Sequence, residues 1–347
     1  MQNTSDDWTG CYDDGWQGKI VPDAFAHPAK FSRGLIRRIY QHAVGEVWLH
    51  PGATVVDPFG GVALGGLDAM KHGLNWCGVE LESRFQVLGQ ANIDLWMSRY
   101  APHFPTWGTA QIIQGDSREL AQVIREAGCA ISSPPYAASM NREGGIDPEK
   151  SEFVGGPHSQ MNNSDTRYGT TPGQLGAMPT RGFEAAVGSP QFEASLPECD
   201  TSSSFKAKYP NAQTGGDWGQ SYGSTTGNIG NSTNSDFWSA ARLIVEQVHQ
   251  VLAPGGHAIW VCKRFVKNKK IVEFSQQWAQ MCEAVGFTVV HWHKAMLVKD
   301  QGTQLDLSGN GHKKVTKRYS FFRRLHAQKY PELEIQWEDV ICMVKGQ

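Results

Sequence analysis

The chain has 347 residues, of which 40% are hydrophobic and 19% charged, and a net charge of −2. That length fits one large domain or two ordinary ones with a sizeable core, and the near balance of charge excludes a polycation, so any nucleic-acid contact has to come from local basic patches. Seven scattered cysteines with no CxxC pair read as reduced thiols in a cytoplasmic protein, the polar start MQNTSDDWTGCYDDG is unlike a signal peptide, and no apolar run approaches a membrane span.

Residues 1–25 read as an N-terminal arm. KFSRGLIRRIYQHAV then places Leu35, Ile36, Ile39, Tyr40 and Val44 at helical spacing. GATVVDPF is a buried strand ending in a loop, and GGVALGGLDAMKHG a loop and helix closed by Gly73. WCGVELE is a second strand, RFQVLGQANIDLWMSRY a helix, AQIIQGDS a third strand, and SRELAQVIREAG a helix. CAISSPPY reads as a fourth strand with its exit loop. Strands alternating with helices predict an α/β fold, a doubly wound, mostly parallel sheet.

From 137 to 236 the texture changes to Gly, Ser, Thr and Asn. A structureless loop of that length is improbable in a compact domain, so this stretch reads as an irregular insertion or a binding element. The α/β pattern resumes with FWSAARLIVEQVHQVL as a helix, HAIWVCKRF as a strand, KIVEFSQQWAQMCEAVG as a helix, FTVVHWHKAMLV as a strand and WEDVICMV as the last strand. The boundaries expected are therefore an arm at 1–25, a first half-domain at 26–136, the insertion at 137–236 and a second half at 237–347. No internal repeat stands out.

Asp57 ends the first strand and is followed by the glycine-rich turn PFGG; Glu80 ends the second strand, and Asp116 follows the third. Ligands bind at such strand ends in open α/β sheets, and acidic groups there can accept hydrogen bonds from ribose hydroxyls. Three acids at successive strand ends describe a pocket for a nucleoside cofactor. The glycines do not form GxGxxG, and no GxxxxGK[ST] phosphate loop is present. A ligand-free strand-to-helix turn is the alternative for the glycine loop alone.

DPFGG, GVELE, GDS and SSPPY, in that order, resemble the S-adenosylmethionine-dependent amino-methyltransferases that modify exocyclic amines of DNA bases. The resemblance covers 27–136 and resumes over 237–300. It implies a Rossmann-like methyltransferase fold with a large Gly/Ser/Asn-rich insertion and S-adenosylmethionine as cofactor. The cofactor site would comprise Lys30, Phe31, Asp57, Pro58, Phe59, Gly60, Gly61, Glu80, Asp116, Ser117 and Ser132, and the catalytic loop Ser133, Pro134, Pro135 and Tyr136. Ala63 stands where the family usually has a second glycine, and the insertion departs from the commonest motif arrangements.

The chemistry suits such a loop. The lone pair of an exocyclic amine is delocalised, so the site must accept its N–H hydrogens; Ser133 Oγ and the Pro134 carbonyl can do so, and Tyr136 offers a flat face for the base. Catalysis would then be positioning and electrostatics, on a base flipped from duplex DNA. Serine at the first position leans, by resemblance, towards N4 of cytosine. The absence of a Pro-Cys pair speaks against carbon-5 methylation.

Two basic clusters, Lys263, Arg264 and Lys267, and Lys313, Lys314, Lys317, Arg318, Arg323 and Arg324, are candidates for phosphate contact; a solvated charged face is the alternative for each. His291 and His293 alternate along a strand with no carboxylate or cysteine at ligand spacing, so no metal is expected. Three alternatives stay open: an N6-adenine DNA enzyme, an RNA base amino-methyltransferase, and a non-catalytic nucleic-acid-binding module. The resemblance leaves open a homodimer and a restriction partner encoded elsewhere; no membrane partner is expected.

Overall fold

The computed structural model describes residues 6–27, 30–104, 106–131, 182–191, 225, 228–229, 234–267, 269–305, 311–317 and 330–346, with 126–131, 234, 300–305 and 311–315 described as backbone only. The strands are β1 (Asp7–Trp8), β2 (Thr54–Asp57), β3 (Asn75–Glu80), β4 (Ala110–Gln114), β5 (Phe183–Gly188), β6 (Leu252–Cys262), β7 (Phe265–Lys267), β8 (Lys270–Val272), β9 (Phe287–Met296), β10 (Val298–Leu305), β11 (Gly311–Lys317) and β12 (Trp337–Lys345). The helices are α1 (Arg33–Gly45), α2 (Leu64–Lys71), α3 (Ser83–Arg99), α4 (Leu120–Ile131), α5 (Asn234–Val251) and α6 (Phe274–Val285).

Eight strands form one sheet in the order β1-β9-β12-β6-β5-β2-β3-β4, while β7-β8 and β10-β11 form separate two-stranded ribbons. The strands from β4 to β6 pair in parallel, and β12 runs antiparallel between β6 and β9. This is the doubly wound, mostly parallel sheet that the alternating pattern predicts. Parallel strands covered on both faces read as continuous apolar runs: all four residues of β2 are buried, as are the first five of β3. One core cluster joins α1 and α2 to the sheet through Leu35, Ile39, Leu67 and Trp76; the other joins α5 and α6 through Phe237, Val245, Trp260 and Trp278.

Two expectations change. The segment read as an arm is built into the domain from residue 6 onward: β1 extends the sheet beside β9, and Trp8, Cys11, Tyr12, Trp16 and Ile20 are buried. Its apolar residues lack a short period but bury large side chains, each contributing roughly 1.5–3 kcal/mol. Second, Cys129–Ile131 is the end of α4, not a strand. Leu120, Val123, Ile124, Ala127 and Ile131 keep a helical period across Gly128. The sheet position beside β2 is instead filled by β5, from inside the stretch read as irregular. Its run Ala185–Gly188 is wholly buried, as a central parallel strand requires.

Candidate cofactor and catalytic site

From β2 the chain winds outward through β3 to β4, then returns to lay β5 on the other flank of β2. That reversal makes β2 and β5 the switch point, where a crevice opens at the carboxyl ends of the strands. Asp57 lies at this place. It is buried, and its carboxylate accepts the Phe59 N–H at 2.9 Å. Burial pushes its pKa up to about 7.

The glycine loop is held from below. The Gly60 N–H donates to the Val79 carbonyl at 2.8 Å, and a Cβ at Gly60 would stand 3.1 Å from that oxygen. Gly61 has φ +53°, and a Cβ there would meet the His27 ring at 3.3 Å. Ala63 has φ +64°. The alanine holds the left-handed conformation that glycine would adopt freely, at a cost of about 1 kcal/mol.

Glu80 closes the loop against β3. One carboxylate oxygen accepts the Gly61 N–H and the other the Glu82 N–H, both at 2.9 Å. Burial pushes this carboxyl up to about 7 as well. Neither Asp57 nor Glu80 has an ion pair among the described residues. Asp116 differs: it caps the turn Ser117–Glu119 by accepting the Arg118 N–H at 2.9 Å and grips the Arg118 guanidinium with both oxygens. The Ser117 hydroxyl donates to the Pro58 carbonyl at 2.6 Å, tying the third strand end to the first.

Lys30 and Phe31 lie in the segment over the loop. The Lys30 ammonium donates to the Phe25 carbonyl at 3.0 Å and to that of His27, and burial lowers its pKa. The Phe31 carbonyl accepts from Trp16 Nε1 at 2.7 Å. The structure therefore brings together Asp57, Pro58, Phe59, Gly60, Gly61, Glu80, Asp116 and Ser117, with His27 beside Gly61. His27 opens the stretch HPAKFSRGLIRRI, within the resemblance, but nothing in the sequence assigns it a role of its own.

Ser132, Ser133, Pro134, Pro135 and Tyr136 lie outside the described residues. The described strand end beside Asp57 is Gly188, followed by Ser189 and Pro190. A Cβ at Gly188 would stand 3.4 Å from Asp57 Oδ1 and 3.3 Å from the Phe59 ring, and the Ser189 hydroxyl donates to the Val261 carbonyl at 3.1 Å. The sequence signal for this strand was a short buried run, FEAAVG, ending in Ser-Pro.

Lys263, Arg264 and Lys317 have local partners. Lys263 pairs with Glu338 at 3.2 Å. Arg264 pairs with Glu273 at 3.5 Å and lies 4.0 Å over the Trp337 ring. Lys317 pairs with Glu334 at 2.9 Å. Lys267 is exposed near the end of β7, and Lys313 and Lys314 lie on β11. Arg318, Arg323 and Arg324 lie outside the described residues. His42 of α1 joins His291 and His293 of β9: its Nε2 is 3.0 Å from His291 Nδ1 and 3.2 Å from His293 Nε2. Trp8 stacks on His293 at 4.3 Å. The third imidazole comes from a distant helix, so the strand alone could not show the cluster.

No family model matches the chain, and no curated protein does. Solved structures with a related course are TrmN from Thermus thermophilus (9% identity, TM-score 0.41, covering 93% of this chain and 52% of that one), the [4+2]-cyclase SpnF (12%, 0.43, 92% and 85%), and a putative RNA methyltransferase, PH1948, from Pyrococcus horikoshii (8%, 0.40, 94% and 92%). The chain thus spans about half the length of TrmN. Similarity of this size says nothing about activity, and the class of the protein rests on its own strand order: a Rossmann-like α/β sheet with Asp57 at its switch point. No helix among the described residues is long and apolar enough to cross a membrane.

Proposed function

We propose that the protein is an S-adenosylmethionine-dependent methyltransferase acting on an exocyclic amino group of a nucleic-acid base, N4 of cytosine in DNA being the leading target. The observation that carries the reading is the pair Asp57 and Glu80. A buried carboxylate, Asp57, and a partly buried one, Glu80, at the ends of adjacent parallel strands, each fixed by a backbone N–H and neither paired with a cation among the described residues, suit a ligand that is cationic at one end and a ribose at the other. Each Glu80 oxygen uses one lone pair on the loop and keeps another for a ribose hydroxyl. A Cβ at Gly60 would press on the Val79 backbone and one at Gly61 on the His27 ring, so the glycines keep the loop close to β3, and Asp57 can hold a cationic amine.

When bound, S-adenosylmethionine supplies an activated methyl: the nitrogen–carbon bond forms as the carbon–sulfur bond breaks, the electron pair stays on sulfur, and the amine proton leaves to water. The chain's own work is to hold the amine in line and to accept its N–H hydrogen bonds at a serine hydroxyl oxygen and a proline carbonyl. Ser133–Tyr136 are the residues that the family resemblance nominates for this loop. Serine there favours N4-cytosine by the same resemblance, with N6-adenine or an RNA base as the alternatives. The test is tritium transfer from S-adenosylmethionine to unmethylated DNA and to RNA, followed by nucleoside mass spectrometry, with Asp57→Ala as control. N4-methylcytosine that depends on Asp57 supports the reading; no label in either polymer, with cofactor bound, refutes it.

A further inference from the structure

We propose that the chain carries two tandem copies of one sequence unit, and that the second copy, through Ser189 and Pro190, supplies the loop that receives the target amine. This rests on the methyltransferase reading above and names the residues of that site. The repeat escapes notice because only two short blocks of it survive. Residues 130–139, AISSPPYAAS, match 186–195, AVGSPQFEAS, at five of ten positions, with Ile131 replaced by Val187 and Tyr136 by Phe192. Residues 168–176, YGTTPGQLG, match 222–230, YGSTTGNIG, at five of nine. The blocks are offset by 56 and 54 residues, so their order and spacing recur together.

The described residues of the second copy, 186–191, 225, 228 and 229, lie beside the ends of β2 and β3. The strand of the first block is β5, paired with β2 at Val55–Ala185 and Val56–Ala186 and with β6 on its other side. Its end passes Asp57, Pro58 and Phe59 so closely that a Cβ at Gly188 would stand 3.3–3.4 Å from all three. The first copy has Ser132 at that position, so glycine suits this seat better. Ser189 comes next, its hydroxyl hydrogen spent on the Val261 carbonyl, which leaves oxygen lone pairs as acceptors. Pro190 is buried and brings no N–H.

The second block is anchored two residues from Glu80. The Thr225 hydroxyl donates to Glu82 Oε2 at 2.8 Å and its N–H to Oε1 at 3.3 Å, and Asn228 and Ile229 are buried. Gly188 thus lies on the Asp57 side and Thr225 on the Glu80 side of the proposed site. Gln191 stands where the first copy has its second proline, and Phe192 keeps a flat ring where it has tyrosine.

The experiment uses the full chain with two kinds of variant. Ser189→Cys and Ser133→Cys are labelled with a thiol reagent, with and without S-adenosylhomocysteine, and read by peptide mass mapping. The proposal expects the ligand to slow labelling at position 189 at least tenfold and to leave 133 unprotected. Protection at 133 alone, at both, or at neither overturns it. In parallel, Pro190→Ala keeps the carbonyl but frees the loop and adds an N–H; it should lower methyl transfer by about a hundredfold through misplacement, with cofactor affinity unchanged, and the loss should exceed that of Pro134→Ala at least tenfold; the reverse ranking overturns it. If wild-type protein binds S-adenosylhomocysteine but methylates nothing, the amine-transfer reading fails while the thiol protection still decides which loop faces the cofactor.

Discussion

Replacing Glu80 by glutamine keeps the shape of the side chain and changes only its hydrogen-bond capacity. Both Glu80 oxygens accept a backbone N–H at 2.9 Å, from Gly61 and from Glu82. The amide would turn an N–H donor towards one of them, and a buried unsatisfied donor costs about 1–3 kcal/mol, so Glu80→Gln should lower unfolding stability by that amount in urea. The effect on ligand is separable. A ribose hydroxyl bound to a carboxylate contributes about 1.5–3 kcal/mol, so losing the charge should weaken a nucleoside by roughly ten- to a hundredfold. Burial holds the Glu80 pKa near 7, so the wild-type carboxyl is largely neutral at pH 6 and ionised at pH 8. Affinity for methylthioadenosine, which carries no titrating amino-acid part, should therefore tighten from pH 6 to pH 8 in wild type and stay flat in Glu80→Gln. The folded state holds its proton to higher pH than the unfolded chain, so unliganded stability runs the other way. It is greatest below the ordinary glutamate range and lost as pH rises through 7. Equal affinity in the variant, or a wild-type affinity indifferent to pH, would refute the role of Glu80.

Four further outcomes follow from the same geometry. Trp16→Ala should cost about 3–5 kcal/mol in urea unfolding; by removing the donor to the Phe31 carbonyl it should also weaken nucleoside binding by calorimetry, and an unchanged affinity would separate that segment from the site. Asp68→Ala leaves the buried Arg33 guanidinium with Asp14 as its remaining partner and should lower stability by about 3 kcal/mol; a near-neutral result would show the pair to be dispensable. Ala63→Val puts a β-branched residue at φ +64° and should cost roughly 2 kcal/mol or more, whereas Ala63→Gly should stay within about 1 kcal/mol of wild type. His257, stacked on Trp48 at 4.2 Å, has its pKa pushed down to about 4 by burial. The unfolded chain binds that proton first as pH falls from about 6.5 to 4, so the stability advantage of wild type over His257→Gln should shrink across that window; a constant difference would contradict the assignment.

The sheet was legible wherever an element carried one unbroken period. The helices at 33–45, 83–99 and 274–285 and the strands at 54–57, 75–80 and 287–296 fall where the apolar spacing puts them. So do the three acids, because an acidic residue directly after a buried strand has little choice of place. Two things were not legible. Trp8 and Trp16 lie in a segment whose burial depends on β9 and α3, more than 70 residues away. And the CAI end of α4 and the run of β5 are both short apolar stretches, which periodicity alone does not assign. CAI attached to a preceding helix lengthens that helix, while AAVG with no helix before it becomes the strand.

The same ambiguity explains how the chain accommodates a duplicated unit. One position beside β2 exists for a strand, since a parallel sheet offers each strand only two neighbours, and β2 already has β3 on its other side. Two segments with an Ala-(Ile/Val)-x-Ser-Pro pattern compete for it. Glycine before Ser-Pro favours the second segment, because the approach to Asp57, Pro58 and Phe59 leaves little room for a side chain. The more complete motif, Ser-Pro-Pro-Tyr, and the better-fitting strand end, Gly-Ser-Pro, are therefore carried by different copies. A family pattern read on sequence selects the first, and the packing around Asp57 selects the second. Exchanging the two residues, Ser132→Gly together with Gly188→Ser, sets these criteria against each other: if packing at Asp57 decides, cofactor protection of a cysteine placed at 189 should fall and that at 133 should rise, and if protection stays at 189 the fit at Gly188 is not what seats the strand.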